Sequence, residues 1–174
     1  MKTRKFITCI CTLFAALVFA PFSYAQATGA AKSDKTNVAL KDYGPKAVVL
    51  DIESLTVANE NFVRALWTGH KLQVTLMSIP VGGDIGLETH PDSDQFLRIE
   101  KGQGRVFMGD TRDSLYFEAD AGPDFAIFIP AGKWHNTVNT GSEPLKLYSI
   151  YAPAEHAHGT VYKTQQEAEA NDPK

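Results

Sequence analysis

The sequence has 174 residues, a formal net charge of −3 and two cysteines, Cys9 and Cys11. That length suits one domain with a real core, and 21% charged with 44% hydrophobic residues argues against wholesale disorder. The mild acidity argues against a nucleic-acid partner, because gripping a phosphate backbone takes a basic patch that releases counterions.

The chain opens on Lys2, Arg4 and Lys5, followed by an uncharged apolar run over 6–20 and small residues at Ser23 and Ala25. This three-part pattern predicts a secretory signal over 1–25, cleaved after Ala25. The apolar run of 15 residues is shorter than the about 20 that a membrane-spanning helix needs. Cleavage leaves 149 residues with a net charge of −6, removes both cysteines and leaves no stable membrane insertion. The expected location is periplasmic or secreted. The mature chain then has no thiolate, so neither a disulfide nor a cysteine metal ligand is available to it.

Residues 26–46 are small and polar and read as a flexible leader. Residues 47–162 form the domain. Within it, short apolar or alternating runs lie at 62–68, 72–79, 85–90, 95–100, 105–108, 115–118, 125–129, 135–138 and 145–151. Glycine, proline and aspartate punctuate them, as at Gly82-Gly83-Asp84, Pro91-Asp92 and Pro130 with Gly132. Many short strands at even spacing predict an all-β barrel or sandwich, and no sustained helical period interrupts them. Residues 163–174 form a polar tail with enough Ala and Glu for a short helix.

Five histidines are present. Glu88 and His90 stand two apart on a predicted strand and so share a face. Residues 91–94 turn the chain, which brings Gln95 back near His90, with Leu97 and Ile99 on the same inner face as Gln95. His135 opens a later strand, with Asn139 four residues on. Tyr151 has the parity of Leu145, Leu147 and Ser149 and lines the interior. Trp134, Arg98 and Glu100 point outward, whereas Phe107 and Phe128 are expected in the core. His70 reads as a surface turn. His156 and His158 read as part of a solvated loop, with Glu155 beside them as an acid or base if that loop folds over the barrel mouth.

The spacing Gly82-x5-Glu88-x-His90-x4-Gln95-x6-Gly102 resembles the first motif of the cupin superfamily, and Pro130-x-Gly132-x2-His135-x3-Asn139 resembles the second. The resemblance spans 72–152 and is strongest to small single-domain cupins of the kind loosely likened to mannose-6-phosphate isomerase. It implies a cupin-type β-barrel (double-stranded β-helix, or jelly roll) with short flexible terminal extensions, a divalent metal and, often, a homodimer. Two positions depart from the family: Glu88 stands where the first histidine is expected, and Gln95 where a glutamate is expected. The implied metal ligands are therefore Glu88, His90, Gln95 and His135. Two imidazoles with one carboxylate suit Fe, Mn, Ni or Zn, and they are the ligand types of non-haem iron oxygenases. Exchanging His for Glu at 88 and Glu for Gln at 95 keeps one carboxylate in the set.

Glu88, Gln95 and Tyr151 are the candidate catalytic groups. The expected function is that of an exported metal-binding cupin acting on a small molecule, by isomerisation or epimerisation or by oxygenation. The alternative is a non-catalytic cupin that binds a sugar or small carboxylate.

Overall fold

The computed structural model describes residues 39–171. The signal over 1–25 and most of the leader lie outside the described residues. Eleven elements follow in order: α1 (Ile52–Ala58), β1 (Val63–Thr68), β2 (Gln73–Ile79), β3 (Asp94–Lys101), β4 (Gly104–Gly109), β5 (Phe117–Ala121), β6 (Ala126–Ile129), β7 (Trp134–Asn139), β8 (Leu145–Ala152), β9 (Val161–Tyr162) and α2 (Gln165–Asn171). They form an antiparallel six-stranded sheet, β6-β3-β8-β2-β1-β9, facing a three-stranded sheet, β5-β4-β7. No helix among the described residues is long and apolar enough to cross a membrane.

The predicted strand at 85–90 exists only as a broken one. It touches β7 through two isolated bridges, Asp84↔Val138 and Glu88↔His135. Gly86, at φ +89°, interrupts it, and Asp84 Oδ1 accepts from the Gly86 amide at 2.7 Å to seal the kink. Positive φ is cheap only for glycine, so the break is written locally in the sequence.

Side-chain alternation builds the interior in rows. On the large sheet, Gln95, Tyr151 and Gln73 lie side by side; the next row is Leu97, Ser149 and Thr75; the next is Ile99, Leu147 and Met77. The apolar end of this gradient joins Ile79, Val106, Ile127 and Leu145 in the main core cluster. The polar end is the mouth of the barrel. Apolar burial at one end provides the driving force, at roughly 25 cal/mol per Å², and leaves the other end free to carry chemistry.

The outer face of the large sheet is covered as well. Leu66 and Leu76 pack there against Leu55 of α1, with Leu40, Tyr43, Leu50 and Ile52 around them. Asp51 caps α1 by accepting from Ser54 N–H at 3.2 Å, which satisfies an orphan donor of the first turn. This helix lies outside the predicted elements, although Asp51 with Ile52, Leu55 and Thr56 is a cap followed by helical spacing.

Residues 39–46, placed in the leader by composition, are anchored to the barrel. Asp42, whose side chain is 1% exposed, accepts from Thr68 N–H, Thr68 Oγ1, Gly44 N–H and Gly159 N–H at 2.6–2.9 Å. Arg64 donates to the Leu40 carbonyl and Trp67 Nε1 to that of Lys46. Phe128 also departs from expectation: it lies on the outer face of β6, 71% exposed, edge-on to Phe96. Phe107 is likewise half-buried rather than in the core. Both follow from parity, since Ile127 and Ile129, and Val106, take the inward positions of their strands.

Burial raises the Asp42 carboxyl, but the hydrogen bonds from Thr68, Gly159 and Gly44 outweigh it and hold the group below the usual carboxylate range. The stability it contributes is therefore complete above about pH 4 and is lost as pH falls below that. Asp42→Ala is expected to cost about 2–4 kcal/mol at neutral pH, read from urea unfolding, and the deficit relative to the parent shrinks in acid.

Candidate metal centre

The centre is assembled by two turns and one bridge. In the Glu88↔His135 bridge, the backbone N–H of Glu88 donates to the His135 carbonyl at 3.0 Å and the N–H of His135 to the Glu88 carbonyl at 2.9 Å. In the turn before β7, Gly132 at φ +78° donates its N–H to the His90 carbonyl at 2.9 Å. Both motifs are thus tied together by main-chain bonds, whatever their side chains do.

Three side chains converge. Glu88 Oε1 is 3.3 Å from His90 Nε2 and 3.3 Å from His135 Nε2. One donor atom from each residue lies within 4.8 Å of the others. All three residues are buried. Donors about 2.0–2.2 Å from a shared ion, at tetrahedral or octahedral angles, stand about 3.0–3.5 Å apart, and the two distances from Glu88 Oε1 fall in that range.

The protonation chemistry of His135 decides what the convergence means. Its Nδ1 lies 3.0 Å from the Lys133 carbonyl. A carbonyl only accepts, so Nδ1 carries the proton and Nε2 is a bare lone pair. That lone pair is buried, makes no directed hydrogen bond and faces a carboxylate oxygen. Protonating Nε2 would relieve the clash, but burial first, and the neighbouring His90 imidazole after it, push the His135 pKa down to about 4 against the opposing pull of the Lys133 carbonyl. Together with His90 Nε2, which lies 3.3 Å from the same Glu88 oxygen, this makes a set of donor atoms that could hold a cation. A divalent ion fits this set, and its identity is left open by two nitrogens and one oxygen.

The other residues singled out from sequence fall into two groups. Gln95 shares the inner face and lies beside Tyr151 in the β3–β8 register. Its Nε2 donates to Ser149 Oγ at 3.1 Å, while its buried Oε1 has no hydrogen-bond partner. Tyr151 is buried, with its ring edge-on to His90 at 5.2 Å. Trp134 faces away, under the Arg112 guanidinium. Arg98 pairs with Glu100 at 2.8 Å on the outer side of β3.

The 153–160 loop is not simply solvated. His156 is half-buried and edge-on to Tyr151 at 5.3 Å. The fully buried Gln73 side chain grips its backbone from both sides, donating to the His156 carbonyl and accepting from its N–H, each at 2.9 Å. Nothing in the local sequence signals this, because the partners are 83 residues apart. His158 remains exposed, 3.0 Å from the Gly44 carbonyl.

Comparison with known proteins settles the family. The cupin domain family matches residues 75–151. The chain is 57% identical over 134 residues to the uncharacterized protein YrkC of Bacillus subtilis (strain 168), covering 77% of this chain and 72% of that one. The chain belongs to the cupin superfamily. This cupin is also 37% identical over 114 residues to the uncharacterized protein L612 of Acanthamoeba polyphaga mimivirus, covering 65% of this chain and 69% of that one. Among solved structures it is similar to BH2720 from Bacillus halodurans, with 59% identity, a TM-score of 0.74, and coverage of 75% of this chain and 98% of that one.

In the metal-stripped cupin, His135 is expected to keep a single proton, on Nδ1, down to about pH 5 and to gain its second near pH 4. Imidazole ¹⁵N shifts report this directly. The unfolded chain takes up that proton nearer pH 6.5, so burial of this histidine makes the metal-free fold lose stability as pH drops from 6.5 toward 4.

Proposed function

We propose that this cupin is an exported, divalent-metal-dependent enzyme acting on a small uncharged molecule, and that its best-supported chemistry is dioxygen-dependent oxidation. The observation that carries the proposal is the buried convergence of His90 Nε2 and His135 Nε2 on one Glu88 oxygen. Two histidines and one carboxylate are the donor set of non-haem iron oxygenases, which leaves coordination positions open for reactants.

Bound there, the ion supplies Lewis acidity and, if iron, redox access to dioxygen. The chain's own groups do the rest. Glu88, His90 and His135 hold the ion, and Glu88 offsets one of its charges. Gln95, anchored through Ser149, presents Oε1 as a weak fourth ligand or as an acceptor that orients a bound water or substrate hydroxyl. Tyr151 packs on His90, fixes its ring plane and excludes water from that side. The apolar rows beneath, Ile99 with Leu147 and Met77, close the interior below the centre. Among the described residues, the ionisable groups gathered at the centre are Glu88, His90 and His135, with Glu155 at its edge, a set that favours neutral over phosphorylated substrates.

Metal-assisted isomerisation or epimerisation is the second reading. It is favoured by the position of Glu155, a partly exposed carboxylate beside the centre, since carboxylates are among the side chains that serve as general acids and bases.

The purified protein offered Fe, Mn, Ni, Co and Zn in turn is expected to retain about one equivalent of at least one of them by elemental analysis, the stoichiometry of a single three-ligand site. His90→Ala and His135→Ala should each drop retention below about a tenth of that while the fold, read by circular dichroism, persists. A parent protein that stays empty of all five sinks the proposal. Oxygen uptake by the iron form across a panel of neutral substrates separates the two reaction classes. Intact mass of the exported protein should place its first residue at Gln26; a chain that keeps residues 1–25 removes export from the reading.

A further inference from the structure

The 153–160 loop brings a fourth side chain to the centre. Glu155 Oε2 lies 3.4 Å from His90 Nδ1, on the side of the ring opposite Glu88. The loop that carries it is held at several points. Gln73 clamps the His156 backbone, Asp42 accepts from Gly159 N–H at 2.9 Å, and Ser93 Oγ donates to the Pro153 carbonyl at 3.2 Å. Tyr151 sits edge-on between the His90 and His156 rings, at 5.2 and 5.3 Å. The Glu155 side chain is 26% exposed, so it stands at the boundary between the buried centre and solvent.

The two histidines of the centre are oriented by different means. His135 is held by a main-chain carbonyl in the rigid turn before its strand, which sets its tautomer permanently. His90 has a carboxylate oxygen near each ring nitrogen. A neutral imidazole carries one N–H, so it donates from one nitrogen and can ligate an ion through the other. An ion held at Nε2, as proposed above, would leave Nδ1 as the donor. The proton then sits on Nδ1 and points at Glu155, and the nitrogen–oxygen distance, slightly long for a formed hydrogen bond, is free to shorten.

The geometry points to Glu155 as a positioning residue of the metal centre: it accepts from His90 Nδ1–H, holds the ring with Nε2 inward, and so ties metal affinity to the seating of the 153–160 loop. This rests on the reading of Glu88, His90 and His135 as ligands. Carboxylate–histidine–metal relays of this kind commonly change affinity by about 10–100-fold when the outer carboxylate is lost.

The test compares the full protein with Glu155→Ala and Glu155→Gln, using the metal that the parent retains, in competition with a chelator. Glu155→Ala should weaken binding by about 10–100-fold. Glu155→Gln, whose amide oxygen still accepts from Nδ1–H, should stay within about threefold of the parent. The thermal midpoint of the metal-free Glu155→Ala protein should match the parent, since the residue acts through the ion. Cobalt(II) substitution gives a second readout: the visible bands should shift in Glu155→Ala and not in Glu155→Gln.

Parent-like affinity in Glu155→Ala, alongside a loss in His90→Ala, overturns the role of Glu155 and leaves the metal centre standing. An equal loss in Glu155→Gln and Glu155→Ala also overturns it, because charge and not ring orientation would then be responsible. A parent that binds no metal removes the centre and this inference together.

Discussion

The structure turns on two lone pairs that face each other. His135 Nε2 and Glu88 Oε1 are held 3.3 Å apart in a buried site, with His90 Nε2 at 3.3 Å from the same oxygen. The Lys133 carbonyl fixes the imidazole tautomer from behind. The main-chain bridge between Glu88 and His135 fixes the separation of the two residues. An arrangement of two buried acceptors costs free energy unless something positive lies between them. Burial disfavours a second proton on His135, and a metal ion held between the three side chains, as proposed, would satisfy the site at neutral pH.

That constraint explains the rest of the barrel's organisation. The large sheet grades from apolar rows to a polar row at the mouth, and the polar row contains Gln73, Tyr151 and Gln95. In the proposed centre each has a different part. Gln95 offers an amide oxygen, Tyr151 braces His90, and Gln73 does not touch the ligands but secures the loop beside them. The outer layer made by α1 and residues 39–50 covers the sheet's other face, so the strands that carry these residues are packed on both sides. Support of this kind holds side chains in place for binding.

The inner faces of the strands were legible in the sequence because alternation is a local signal. Gln95, Leu97 and Ile99 follow from period two alone, as do Leu145, Leu147, Ser149 and Tyr151. The pairing of His90 with His135 was legible only through the resemblance to two spaced motifs, since strand parity does not say which strands meet. What escaped was set by contacts between distant residues. Asp42 meets Gly159 across 117 positions, which draws residues 39–46 out of an apparent leader. Gln73 reaches His156 across 83, which seats a loop that looked solvated. Phe128 was misplaced by hydrophobicity where parity would have been the better guide, since its neighbours Ile127 and Ile129 already fill the inward positions of a four-residue strand. Glu155 was visible as a nearby carboxylate, but its place beside His90 depends on those same long-range anchors.

The most direct test of the account is a crystal structure measured on both sides of the absorption edge of the metal that the protein retains. The account predicts one anomalous peak per chain, about 2.0–2.2 Å from Glu88 Oε1, His90 Nε2 and His135 Nε2. An ordered, fully occupied triad with no peak among those three atoms, or a peak bound through His135 Nδ1 in place of Nε2, would contradict it.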